Sequence, residues 1–129
     1  MAARLFLLVC AIVWLPYGLY CLAQPDSLAS AAGVVSASHT GTIELRAMYG
    51  GLQSALGIFC LFAALRADLV RSALLTLAFL CSGLALARLA GAALEREVSS
   101  YTALGFTFET LSAGLSVALL RGRARPSAV

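Results

Sequence analysis

Hydrophobic and polar positions fall along this chain in long blocks: four apolar stretches, at about residues 5–23, 42–65, 71–93 and 101–120, are separated by brief polar breaks. Each block has the roughly 20 residues that a helix rising ~1.5 Å per residue needs to cross the hydrocarbon of a bilayer. The breaks carry helix-ending residues: Gln24, Pro25 and Asp26 after the first block, Arg66 and Asp68 after the second, Glu95, Arg96 and Glu97 after the third. Only the first connection is long. In it Asp26 is expected to cap a short Ser/Ala-rich turn stopped at Gly33. Thr42 is expected to open the second span, with Glu44 near the positive end of the helix dipole. Pro16 predicts a bend in the first helix. The pattern predicts an all-α protein, an integral membrane four-helix bundle forming a single domain over residues 1–129.

The first block also has features of a signal peptide, with one Arg, an apolar core and a small residue at Ala23. Pro25 lies just beyond the would-be cleavage site, however, and Leu19 and Tyr20 before Cys21 do not make a lipoprotein site. A retained helix is the expectation.

Composition agrees with the pattern. Of 129 residues, 61% are hydrophobic and 12% charged, with a mean hydropathy of +0.94, whereas soluble domains carry about 25% charged residues. An ordinary soluble protein is excluded. Four crossings use about 80 residues, which leaves no room for a separate soluble domain. All nine basic residues are Arg, and a net charge of +3 is too small and too scattered for a nucleic-acid surface, so nucleic acid is excluded as a partner. Cys10, Cys60 and Cys81 lie inside apolar runs and Cys21 near a helix end, without a CxxC pair or a neighbouring His. They read as free apolar cysteines, and neither a metal site nor a cofactor is expected.

Candidate chemistry is confined to polar residues inside the spans. Counted from the outer helix ends at ~1.5 Å per residue, Arg46, Tyr49 and Gln53 lie roughly 5 to 15 Å down the second helix. Arg88 lies about 7 Å down the third and Glu109 about 12 Å down the fourth. All five are expected in one layer, with Tyr17 and Tyr20 of the first helix in the same outer half. Arg46, Tyr49, Gly50, Gln53 and Gly57 recur at i, i+3, i+4, i+7 and i+11, one face of a helix, and Thr102, Gly105, Glu109, Ser112 and Ser116 form a matching stripe. Glu109 is expected to pair with Arg88 or Arg46, because an unpaired ion in hydrocarbon costs several kcal/mol or more. Small residues at four-residue spacing predict the helix contacts: Ala47, Gly51 and Ala55; Gly83, Ala87 and Gly91; Gly114 and Ala118. Glu44 is expected near water, and His39 solvated in the outer loop.

No Ser/His/Asp or Cys/His set, phosphate loop or metal-ligand spacing is present, so no catalytic residue is assigned. A few interior polar groups beside apolar walls describe a small-molecule site. The ligand-binding candidates are therefore Arg46, Tyr49, Gln53, Arg88, Glu109 and Tyr17, and the expected ligand is a membrane lipid or lipophilic small molecule in a polar-lined pocket. Three alternatives stay open: an ion pair that only fixes helix register, a proton-coupled transporter component built as a homodimer, and an accessory subunit of a larger membrane partner.

Residues Arg46 to Gln53 read Arg-Ala-Met-Tyr-Gly-Gly-Leu-Gln and continue into a small-residue helix containing Gly57. On this stretch the chain resembles a bacterial family of small four-helix membrane proteins, domain of unknown function 4345. The similarity runs from the first span through Arg88 to Glu109. What the resemblance implies is a four-helix protein of the inner membrane, with no activity, substrate or cofactor to carry over.

Orientation follows from arginines, which hold short loops on the cytoplasmic side. Arg4, Arg66, Arg71, Arg121, Arg123 and Arg125 flank the side with both termini, against Arg46, Arg88 and Arg96 on the other. Both termini are expected in the cytoplasm. A membrane-impermeant thiol reagent applied to intact cells should therefore label single cysteines introduced at Ser30 and Val98 and spare one at Ser127, and the opposite labelling would invert the topology.

Overall fold

The structure, a computed structural model, describes residues 1–124; Arg125 and Ser127, used above for orientation, lie outside the described residues. The helices are α1 (Ala2–Ala23), α2 (Ser27–Ala32), α3 (His39–Leu45), a π-helix (Arg46–Gly51), α4 (Leu52–Leu65), α5 (Val70–Glu95) and α6 (Ser100–Ala124). Because α3, the π-helix and α4 run on as one rod, four helices are long and apolar enough to cross a membrane: Ala2–Ala23, His39–Leu65, Val70–Glu95 and Ser100–Gly122. At 22 to 27 residues they measure about 33 to 40 Å, more than the ~30 Å of hydrocarbon, so their ends reach the polar interface. The protein is an all-α chain with four membrane-type helices, as the block pattern predicts.

Local chemistry explains the helix ends, including two that differ from expectation. The second span starts at His39, before Thr42, because extended Ser38 is its N-cap and accepts the Gly41 N–H at 3.1 Å through its hydroxyl. His39 is exposed, at the first helical position. Gly33 stops α2 in a left-handed conformation (φ 68°), donating its N–H to the Ala29 carbonyl. Asp26 precedes α2 without a side-chain cap bond, whereas Ser27 donates its hydroxyl to the Gln24 carbonyl at 2.7 Å. Ser99 caps α6 by accepting the Thr102 N–H at 3.1 Å. α1 continues through Pro16 to Ala23.

The chain divides into two compact units, Arg4–Ala67 and the remainder from Asp68 onward together with Met1–Ala3. In the first, α1 and the second span meet backbone to backbone. A Cβ placed on Gly50 would lie 2.7 Å from Leu22 Cα, one on Gly18 would lie 2.4 Å from the Ser54 backbone nitrogen, and one on Gly57 would lie 2.5 Å from the Leu15 nitrogen. The partners ascend one helix as they descend the other, so these three contacts form a single antiparallel seam. Approach this close replaces the hydrophobic drive that lipid withholds from helix association.

In the second unit α5 buries Val70, Ala73, Leu74, Leu77, Ala78, Cys81 and Ala85, and α6 buries Glu109, Ser112, Ala113 and Ser116. The polarity of α6 is inverted: Glu109 is 3% exposed while Leu104 is 74% exposed. That arrangement suits a hydrocarbon solvent.

The predicted small-residue strips are not where the helices touch. Cβ atoms on Gly83, Gly91 or Gly114 would meet nothing within 4 Å among the described residues, and one on Gly51 would meet only the Arg46 carbonyl, at 3.8 Å. Substitution should separate the two sets of glycines. Valine at Gly18 or Gly57 should destabilise the protein by about 1–3 kcal/mol or more through overpacking, while alanine at Gly83 or Gly114 should be neutral or gain up to about 1 kcal/mol of helix propensity. Unfolding in mixed micelles measures both.

Candidate functional site

The four-residue link from Arg96 to Ser99 makes α5 and α6 neighbours running in opposite directions. On α6, Tyr101, Gly105 and Glu109 stand four residues apart, hence on one face. Arg88 of α5 lies across that face. Its Nε donates to both Glu109 carboxylate oxygens, each at 2.9 Å, and its guanidinium carbon stands 5.6 Å from the centre of the Tyr101 ring, within cation–π range. Between them Gly105 provides the space, since a Cβ there would come 2.8 Å from the guanidinium carbon and 2.9 Å from Nε. Gly105 is thus a cut-out for the arginine.

The two charges are unequally withdrawn: the Arg88 side chain is 27% exposed and that of Glu109 4%. A carboxylate so deep requires a charged partner, and the charge-assisted bonds of Nε provide it. One and two turns further along α6, Ser112 and Ser116 are buried, and the Ser116 hydroxyl makes no hydrogen bond among the described residues.

Arg46, the other proposed partner of Glu109, has a different role. Exposed at the start of the π-helix, it donates from Nη1 to the Leu22 carbonyl at 2.6 Å. Leu22 lies in the last turn of α1, where carbonyls have no partner within the helix and the dipole favours a cation. Arg46 closes the end of the first helix. Tyr17, Tyr49 and Gln53 are half-buried in the same unit as Arg46; Gln53 Oε1 and the Ser54 hydroxyl are buried without a hydrogen bond among the described residues.

Of the six candidates, then, the structure joins Arg88 and Glu109 directly and places Arg46, Tyr49, Gln53 and Tyr17 in the Arg4–Ala67 unit. The sequence reading missed Tyr101, although its spacing from Gly105 and Glu109 was a usable signal. All four cysteines are buried, and none forms a disulfide among the described residues.

A family model described as Domain of unknown function (DUF4345) matches residues 2–120, and the chain belongs to that family. No curated protein and no solved structure matches it. The match spans α1 to α6 and includes every residue of the Arg88 cluster.

Removing one member of a buried ion pair costs about 3–5 kcal/mol because its partner is left uncompensated. Glu109→Gln should destabilise the protein by that order in detergent unfolding. Adding Arg88→Met should recover part of the loss and adding Arg46→Met should recover none, so a double-mutant cycle identifies the partner.

Proposed function

We propose that the protein binds a lipid or another lipophilic small molecule within the membrane, with Arg88, Tyr101 and Glu109 as the polar end of the site. The observation that carries this reading is the asymmetry of the ion pair. Glu109 is withdrawn and held by Nε, while the arginine it anchors stays partly accessible beside an aromatic ring. Withdrawing both charges costs desolvation energy that their attraction repays only with complete hydrogen bonding, so the arginine left partly exposed is the member of the pair a ligand can reach. Leu89, Leu94 and Leu104 are exposed on the two helices that carry the cluster, and a few convergent polar groups beside apolar surface are the usual make-up of a small-molecule site.

On this reading the protein resides in the inner membrane of a bacterium with both termini in the cytoplasm, and the cluster lies towards the outer surface. The excess of arginines on the side of the termini supports that orientation.

Native mass spectrometry of the protein purified in mild detergent tests the reading. A co-purifying small molecule should appear as an added mass and disappear in the Arg88→Gln/Glu109→Gln double variant, which removes both charges together and strands neither. Absence of any added mass, with Arg88→Ala changing thermal stability alone, would reduce the cluster to a structural ion pair.

A further inference from the structure

The end of the α5–α6 hairpin away from Arg88 carries a second surface: we propose that Arg71 and Arg121, with Arg123 and Arg125 following in sequence, hold anionic phospholipids of the adjoining leaflet by their head groups. This surface belongs to the unit from Asp68 onward. It depends neither on what the Arg88 cluster binds nor on which side of the membrane the termini lie.

Antiparallel packing brings the first two arginines to one level. Arg71 precedes Arg88 by 17 residues on α5, about 26 Å of helix. Arg121 follows Gly105, which faces the Arg88 guanidinium, by 16 residues on α6, about 24 Å in the same direction. Arg71 thus stands in the first turn of α5 and Arg121 beside it in the last turn of α6. Both are exposed, and neither makes an ion pair or a side-chain hydrogen bond among the described residues.

Charge at this end is one-sided. Asp68 is the single acid between Glu44 and Glu95, and none follows Glu109, so the residues flanking this end carry four arginines and one carboxylate. At the opposite end Glu95, Arg96 and Glu97 sum to one negative charge. Helix electrostatics explain only part of the arrangement. A cation in the last turn of α6 suits the negative end of that helix dipole, but one in the first turn of α5 stands at a positive end, which disfavours it. A layer of anions outside the protein favours both positions, and each arginine near an anionic leaflet raises affinity about fivefold.

Depth and residue type identify the anion as part of a lipid. At 26 residues α5 exceeds the ~30 Å of hydrocarbon, so its first turn reaches the level of the phosphates. The basic residues are all arginine, whose planar fork matches two phosphate oxygens. Towards the bilayer from Arg71 and Arg121, Phe79, Leu115 and Val117 are exposed and offer apolar surface to acyl chains. A dissolved phosphate uses the arginines alone, whereas a phospholipid uses both.

The test is competition for the full chain in mild detergent between phosphatidylglycerol and phosphatidylcholine of identical acyl chains, read as retained lipid by native mass spectrometry. The anionic lipid should be retained over the zwitterionic one by at least about fivefold, the effect of a single arginine at an anionic surface. Arg71→Gln/Arg121→Gln should lower that preference several-fold, and adding Arg123→Gln and Arg125→Gln should bring the ratio close to one. Arg96→Gln, at the other end, should leave it unchanged, as should the Arg88→Gln/Glu109→Gln variant. Because Arg71 and Arg121 are exposed, their variants should keep the parent's thermal stability. Inorganic phosphate should displace no more of the anionic lipid than a chloride buffer of equal ionic strength. Equal retention of the two lipids, or a preference that survives removal of all four arginines, would overturn the assignment. Loss of the preference in the Arg88→Gln/Glu109→Gln variant would move the anion to the other site, and specific displacement by inorganic phosphate would refute a lipid surface.

Discussion

Hydrocarbon gives two apolar helices no reason to prefer each other over lipid, and that constraint shapes both units of this protein. Each unit uses something lipid cannot supply. In the Arg4–Ala67 unit it is backbone proximity, obtained where Gly18, Gly50 and Gly57 lack the side chains that would keep α1 from the second span. In the α5–α6 unit it is a charge pair between Arg88 and Glu109. A glycine enables the second device as well, because without the space at Gly105 the guanidinium could not lie flat across α6 to reach the carboxylate. Residues without side chains and residues with the most polar ones thus serve one end. Many leucines and two phenylalanines, Phe62 and Phe79, are exposed, while Leu7, Leu28, Leu74 and Leu77 are buried.

The same constraint decides what was legible in the sequence. The four spans were plain because length and apolarity determine crossing regardless of packing. The Arg88–Glu109 pair could be anticipated because helix rise sets depth, and an ion at depth requires a partner. Glu109, Ser112 and Ser116 showed their inward stripe by spacing, and they are buried. The contact glycines were legible only in part: Gly50 and Gly57 stand on the face counted along the second span, and both meet α1. Every helix here carries several small residues, and which of them meets a neighbour depends on the register between helices, which spacing within one helix does not encode; hence Gly83, Gly91 and Gly114 were expected at contacts and Gly18 was overlooked. The partner of Arg46 was hidden for another reason: it is a backbone carbonyl at a helix end, and no residue type marks such an acceptor.

The π-helix at Arg46–Gly51 lies on the stretch where the family resemblance is most distinctive. Counting a face at i, i+3, i+4, i+7 and i+11 assumes 3.6 residues per turn throughout. Here the Leu52 N–H bonds to the Ala47 carbonyl, five residues back, so the turn holds an extra residue. Gly50 and Gly57 face α1 as counted, at Leu22 and Leu15, and between them it is Ser54, next to Gln53 on the same side, that meets Gly18. The wider turn lets Arg46 reach the end of α1 and Gly50 admit its backbone, both at Leu22. A helix-closing arginine, a π-turn and a contact glycine account for much of the Arg-Ala-Met-Tyr-Gly-Gly stretch through the joining of two helices. The candidate for binding lies elsewhere, in α5 and α6, where Arg88, Tyr101, Gly105 and Glu109 are scattered over two helices and form no continuous motif. Unusual backbone geometry concentrates distinctive residues in one segment. A site assembled across two ordinary helices becomes visible only when depth and partners are worked out residue by residue.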